Sequence, residues 1–170
     1  MVGSFYRSRK FLTCKALLYL YKSQIRPKMA YCSHIWAGSS QLALSILDLV
    51  QKRMRCLVGD DLFSSLQPLS HRRNVASLSL FYRYFHGKCS DELHSLVPPI
   101  REFTRSTRFS ESASSHPYFL KLPRTRCAFH ANSFFPRTSA MWNAPSTECF
   151  PAEYNLDLFK SKVNKFLSPS

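Results

Sequence analysis

Glycine is scarce in this 170-residue chain, with four residues at positions 3, 38, 59 and 87. None is spaced as a Walker loop or a dinucleotide fingerprint, so no nucleotide cofactor, and no cofactor of any kind, is expected. Long apolar runs are missing as well. The longest, residues 16–21, is far short of the roughly 20 residues that span a bilayer, and no membrane partner is expected. The start carries Arg7, Arg9 and Lys10 without a continuous apolar stretch or small-residue cleavage site before Lys15, which argues against secretion. Six cysteines stand at 14, 32, 56, 89, 127 and 149 with no Cys-x-x-Cys and no close pair, a pattern of reduced thiols in an intracellular protein, cytoplasmic or nuclear.

Acidic residues are the other shortage. Ten Asp and Glu face 24 Lys and Arg, a formal charge of +14. An excess of that size favours a polyanionic partner, nucleic acid first.

Apolar spacing predicts a mainly α protein. Phe11, Cys14, Leu18, Tyr21 and Ile25 form one helical stripe, which Pro27 is expected to end or kink. A short helix is expected over residues 27–36, broken by Gly38. A longer one spans 41–58, with Leu47, Val50, Met54 and Leu57 on its face, Leu42, Ile46 and Leu49 widening it, and Gly59 ending it. Ser70 is the expected N-cap of a helix to Phe85 that buries Val75, Leu78, Tyr82 and Phe85, with Arg72, Ala76, Ser79 and Arg83 on its opposite side. Beyond Pro98 and Pro99 periodicity fades. Residues 118–122 and 128–135 read as strands of a small hairpin, and Asn155 as the cap of a final helix over 156–167. Three regions follow: helical 1–97, a linker or loop at 98–117, and an irregular 118–170 that ends in a helix.

Few residues suggest chemistry. Gly59-Asp60-Asp61 has the look of a polymerase metal motif, but the preceding chain reads as helix and offers only Asp48, so Gly59 is read as a helix C-cap and the aspartates as an exposed loop. His86, Cys89 and His94 fit no common zinc spacing, and no Gly-x-Ser-x-Gly frame supports a hydrolase. No metal site, catalytic residue or small-molecule substrate is expected. Trp36 and Trp142 are read as core, since aromatic residues on helical stripes are usually buried.

Several strings, in order, resemble the C-terminal end of the reverse transcriptase of jockey-like non-LTR retrotransposons. They are Ile25-Arg26-Pro27, Tyr31-Cys32-Ser33-His34-Ile35-Trp36, Leu49-Val50-Gln51-Lys52-Arg53, Leu69-Ser70-His71-Arg72-Arg73-Asn74, Phe81-Tyr82-Arg83-Tyr84-Phe85-His86-Gly87, Phe135-Pro136-Arg137-Thr138-Ser139, Trp142-Asn143 and Phe159-Lys160-Ser161-Lys162-Val163-Asn164. Two departures fit a degenerate element copy: Ala30 stands where relatives carry an acid, and Trp142-Asn143-Ala144-Pro145 is one residue short of the usual Trp-Asn-x-Leu-Pro. The resemblance implies a thumb-like helical bundle and a less regular region, without the palm or endonuclease domains of the full-length RNA-directed DNA polymerases. The expected role is gripping an RNA–DNA or DNA duplex, not chemistry.

The phosphate contacts expected from position and charge are Lys52, Arg53, Arg55, Arg72, Arg73 and Arg83, with Arg124, Arg126 and Arg137 as a second group. Lys52, Arg53 and Arg55 equally suit compensation of a helix dipole. Two other readings stay open: a protein-interaction module whose apolar faces met the missing palm domain or meet another protein, and a relic without function.

Overall fold

The computed structural model describes residues 2–101 and 118–168. It is mainly helical, and among the described residues there is no β-sheet. Two compact units divide the chain, Met1–Arg73 and Asn74–Ser170.

In the first unit, α1 (Val2–Ser8) is followed by α2 (Cys14–Leu20), capped where the Thr13 hydroxyl accepts the Ala16 N–H at 3.3 Å. Pro27 does not end the helical run. A π-helical turn at Tyr21–Ile25, in which the Arg26 N–H reaches the Tyr21 carbonyl, leads directly into α3 (Arg26–Ala30). The wide turn accommodates a ring that would otherwise press on the carbonyl four residues back. Leu17, Leu18, Tyr21 and Ile25 are buried, whereas Phe11 and Cys14, expected on the same stripe, are exposed because they precede or begin the helix.

The helix expected over 27–36 is in two pieces. Cys32 takes a left-handed conformation, φ 49°, and separates α3 from α4 (Ser33–Trp36). The indole N–H of Trp36 donates to the Tyr31 carbonyl at 2.9 Å across that break.

The long helix α5 (Gln41–Val58) runs between a Ser40 N-cap, whose hydroxyl accepts the Ala43 N–H, and Gly59 at φ 100°, a value that strains any other residue. Its Met54 and Val58 join Leu17, Tyr21, Ile25 and Phe63 in one core, with Val50 and Leu57 packed against it. Leu42, Ile46 and Leu49 do not widen that face; all three are exposed. Asp60 and Asp61, expected in a loop, open a single helical turn, α6 (Asp60–Phe63), where carboxylates suit the positive end of a helix.

Helix α7 (Leu69–Phe85) starts one residue before the expected cap at Ser70. The role of that cap falls to Gln51 of α5, whose side-chain oxygen accepts the Leu69 N–H at 3.2 Å. The Gln51 Nε2 donates to the Gln67 carbonyl at 3.5 Å, and Arg26 Nη2 donates to the same oxygen at 2.5 Å. Three of the resembling strings therefore meet at the entry to α7.

In the second unit, Val75, Leu78, Phe81 and Tyr82 of α7 are buried with Leu120, Trp142, Phe150, Phe159 and Val163. Trp142 is the hub, its ring 5.1 Å from those of Phe81 and Phe85 and 4.9 Å from Phe150. Tyr82 stacks on Phe159 at 4.2 Å and accepts the Asn155 N–H on its hydroxyl. A short α8 (Asp91–Ser95) follows α7.

The expected hairpin is absent. Leu120 forms one isolated antiparallel bridge with Ile100, while residues 128–135 hold α9 (Ala128–Ala131) and the start of α10 (Phe134–Trp142). Pro136 lies in the first turn of α10, where the missing N–H would have no helical partner anyway. The final helix, α11 (Leu156–Phe166), forms as expected from its Asn155 cap, burying Phe159 and Val163. The linker expected at 98–117 lies, from residue 102 onward, outside the described residues.

Candidate nucleic-acid interface

The first unit holds twelve Lys and Arg but only three acids, Asp48, Asp60 and Asp61. Two of the three already have cationic partners. Arg55 Nε meets Asp60 Oδ1 at 2.5 Å, and Arg73 lies 3.8 Å from Asp48. The surplus of positive charge therefore faces solvent with little internal neutralisation.

On α5, Lys52, Arg53 and Arg55 are all exposed. At about 100° per residue, Lys52 and Arg55 are roughly 60° apart and share a face, whereas Arg53 is turned roughly 100° from Lys52. The three consecutive-looking cations are thus split between two sides of the helix. Arg55 also closes the helix end by its bond to Asp60, so it acts as a dipole-compensating residue as well as an exposed charge.

Arg72 and Arg73 are neighbours in sequence and opposites in structure. Arg72 is exposed, while Arg73 is buried, with its guanidinium 5.9 Å over the Trp36 ring and beside Asp48. Arg73 is consequently a packing residue, and its expected phosphate contact is corrected on that ground: a guanidinium held between a carboxylate and an indole is not presented to a duplex.

Residue-level reading missed Arg26. It is buried beside Tyr21, and the two side chains and Arg72 interact electrostatically. Burial, reinforced by the neighbouring Arg72, lowers the Arg26 pKa; burial raises that of Tyr21 against the pull of both arginines. The signal was its place before Pro27, which was read for backbone and not for charge.

In the second unit, Arg83 is exposed on α7, and Arg124 and Arg126 are exposed before α9. Arg124 lines an open groove of about 760 Å³ with Lys121, His130, Phe135 and four prolines, Pro98, Pro99, Pro123 and Pro136. Arg137 of α10 is half-buried, and burial lowers its pKa. Arg137 therefore belongs with Arg73 more than with the exposed cations. Trp142 is fully buried, as expected of a core aromatic residue, and Phe129, beside these arginines in sequence, is an exposed ring.

Asp60 and Asp61 sit on a helical turn with no third carboxylate: among the described residues, no three His, Cys, Asp or Glu side chains gather as metal ligands. His94, of the trio weighed as ligands, bonds through Nδ1 to the Tyr84 carbonyl at 2.7 Å. No helix among the described residues is long and apolar enough to cross a membrane. No protein-family model matches the chain, and no curated protein or solved structure matches it.

Proposed function

We propose that the chain grips the backbone of an RNA–DNA or DNA duplex and catalyses nothing itself, as the thumb-like C-terminal part of a jockey-like reverse transcriptase would. The observation that carries the reading is the first unit's surplus of exposed cations over acids that are mostly engaged already. Lys52 and Arg55 on one face of α5, with Arg72 at the start of α7, form the principal contact group; Arg83, Arg124 and Arg126 form a second. Cations on helices suit phosphates because such contacts hold a duplex without reading its sequence. The order of the resembling strings supports the same role, and the cytoplasm or nucleus is where such a partner is found.

The test is binding of the purified chain to a primed RNA–DNA duplex across a salt series. Each lost phosphate contact lowers the slope of log affinity against log salt by about 1. Replacing Lys52, Arg55 and Arg72 together by Gln is therefore expected to lower it by about 3, and a slope that does not change refutes this assignment. Nucleotides and magnesium added to the same duplex are expected to give no primer extension.

A further inference from the structure

Helix α5 has two apolar faces, and the first unit covers one. Leu44, Met54 and Val58 are buried. Leu42, Ile46 and Leu49, spaced i, i+4 and i+7, lie roughly 140° round the helix from that buried face, with 78%, 60% and 49% of their surfaces exposed. Cys56 continues the same line toward the C-terminus and is exposed too. Helices α1, α2 and α6 pack against α5 and leave this stripe open.

Charge identifies what would cover it. The stripe runs into Arg53, with Lys52 on its flank, and neither makes an ion pair among the described residues. Asp48, the helix's single acid, is turned away and engaged by Arg73. A second copy of this chain would bring its own surplus of cations to the contact, which disfavours self-association. An acidic partner would gain both from apolar burial and from charge complementarity.

We propose that the Leu42–Ile46–Leu49 stripe docks an amphipathic helix of a partner protein, apolar at i, i+3 or i+4 and i+7 and carrying Asp or Glu where it meets Arg53. Three leucine-sized side chains in line along two turns match the anchor spacing by which one helix recognises another. Arg53 sets the direction of the docked helix, because only one orientation places its acids opposite the guanidinium. The site does not rest on the duplex-binding reading, which uses Lys52, Arg55 and Arg72 on the neighbouring face.

The experiment is selection of a random peptide display library on the full chain, counter-selected on a chain carrying Leu42→Ser, Ile46→Ser and Leu49→Ser. Enriched peptides are expected to show helical apolar spacing with Asp or Glu at one end, to lose at least about tenfold in affinity for the triple variant, and to weaken several-fold on Arg53→Glu. Changing the acids of an enriched peptide to Lys is expected to restore its binding to the Arg53→Glu chain. Peptides without that spacing or without acids, or binding indifferent to both variants, overturn the proposal. Stripe-dependent binding to phosphatidylserine vesicles in place of peptides, or a stripe-dependent dimer, overturns it as well. The triple variant is expected to unfold at a slightly lower denaturant concentration than the parent, since serine favours a helix less than leucine does and Leu49 is half covered; a large loss of stability would assign the stripe to the core and refute docking. Arg53→Glu leaves every apolar contact intact, so it reports on docking whether or not the triple variant folds.

Discussion

The side-chain amide of Asn143 pairs with both backbone groups of Leu120: its Oδ1 accepts the Leu120 N–H at 2.9 Å and its Nδ2 donates to the Leu120 carbonyl at 3.0 Å. Asn143 thus supplies what a neighbouring strand would have supplied, one residue beyond the indole of Trp142, which donates to the Tyr118 carbonyl at 2.9 Å. The Trp142-Asn143 pair pins a chain segment that has no sheet to join, and satisfies backbone groups that burial would otherwise leave unmet.

Asn143→Ala is expected to lower stability by about 1–3 kcal/mol, because a buried donor and acceptor lose their partners together. Asn143→Asp keeps the acceptor for the Leu120 N–H but sets a carboxylate oxygen against the Leu120 carbonyl, and should be no better. Urea unfolding of the three proteins checks this, and equal midpoints would show that Leu120 is held by packing alone.

Gln51 is predicted to matter more than its half-exposed surroundings suggest. Gln51→Ala removes the acceptor for Leu69 N–H and one donor to Gln67, with an expected loss of about 1 kcal/mol. Hydrogen exchange localises the effect: faster exchange is expected at Leu69 and the first turn of α7, with the far end of the helix unchanged.

Arg72 and Arg73 make a pair whose substitutions should separate grip from packing. Arg72→Gln is expected to stay within about 0.5 kcal/mol of the parent while lowering the salt slope of duplex binding by about 1. Arg73→Met fills the same space against Trp36 without a charge and is expected to leave the salt slope unchanged. A slope that falls for Arg73→Met would return that residue to the duplex-facing group.

His86 gives stability a pH dependence. Its ring lies among Tyr82 at 4.4 Å, Phe85 at 5.3 Å and Tyr154 at 5.4 Å, and burial, reinforced by Lys88, lowers its folded pKa below the ordinary 6.5. Above 6.5 the ring is neutral in both states and the stability is fully present. As pH falls through 6.5 the unfolded chain takes up the proton first, and stability declines until the folded pKa is passed. Denaturant midpoints measured from pH 7.5 to 5 should fall less for His86→Phe than for the parent; identical profiles would remove His86 as the source.

Local signals in the chain were sufficient for much of the helical framework. The 18 residues of α5 between Ser40 and Gly59, and the Asn155-capped α11, follow from side-chain spacing and capping, which are interactions within a few residues. The placing of the cations was legible for the same reason: Lys52, Arg53 and Arg55 fall in the last turns of α5 and Arg72 on the side of α7 opposite its apolar stripe, and all four are exposed. Helix α10 was not legible, since its buried Thr138 and Ser139 interrupt the apolar pattern and Pro136 reads as a breaker unless the helix start is already known.

The sequence by itself therefore determined a helical, strongly basic chain and the axis of its longer helices. Tertiary structure alone decided which faces of those helices are covered. Periodicity shows that α5 has apolar residues at helical spacing, but Met54 is buried and Leu42 exposed because only one side meets α2 and α6. In the same way Arg73 differs from Arg72 only by the 100° turn that brings it to Asp48 and Trp36, partners 25 and 37 residues away in the chain. Contacts at that separation leave no periodic trace in the sequence, so the fold had to bring the residues together before their roles could be distinguished.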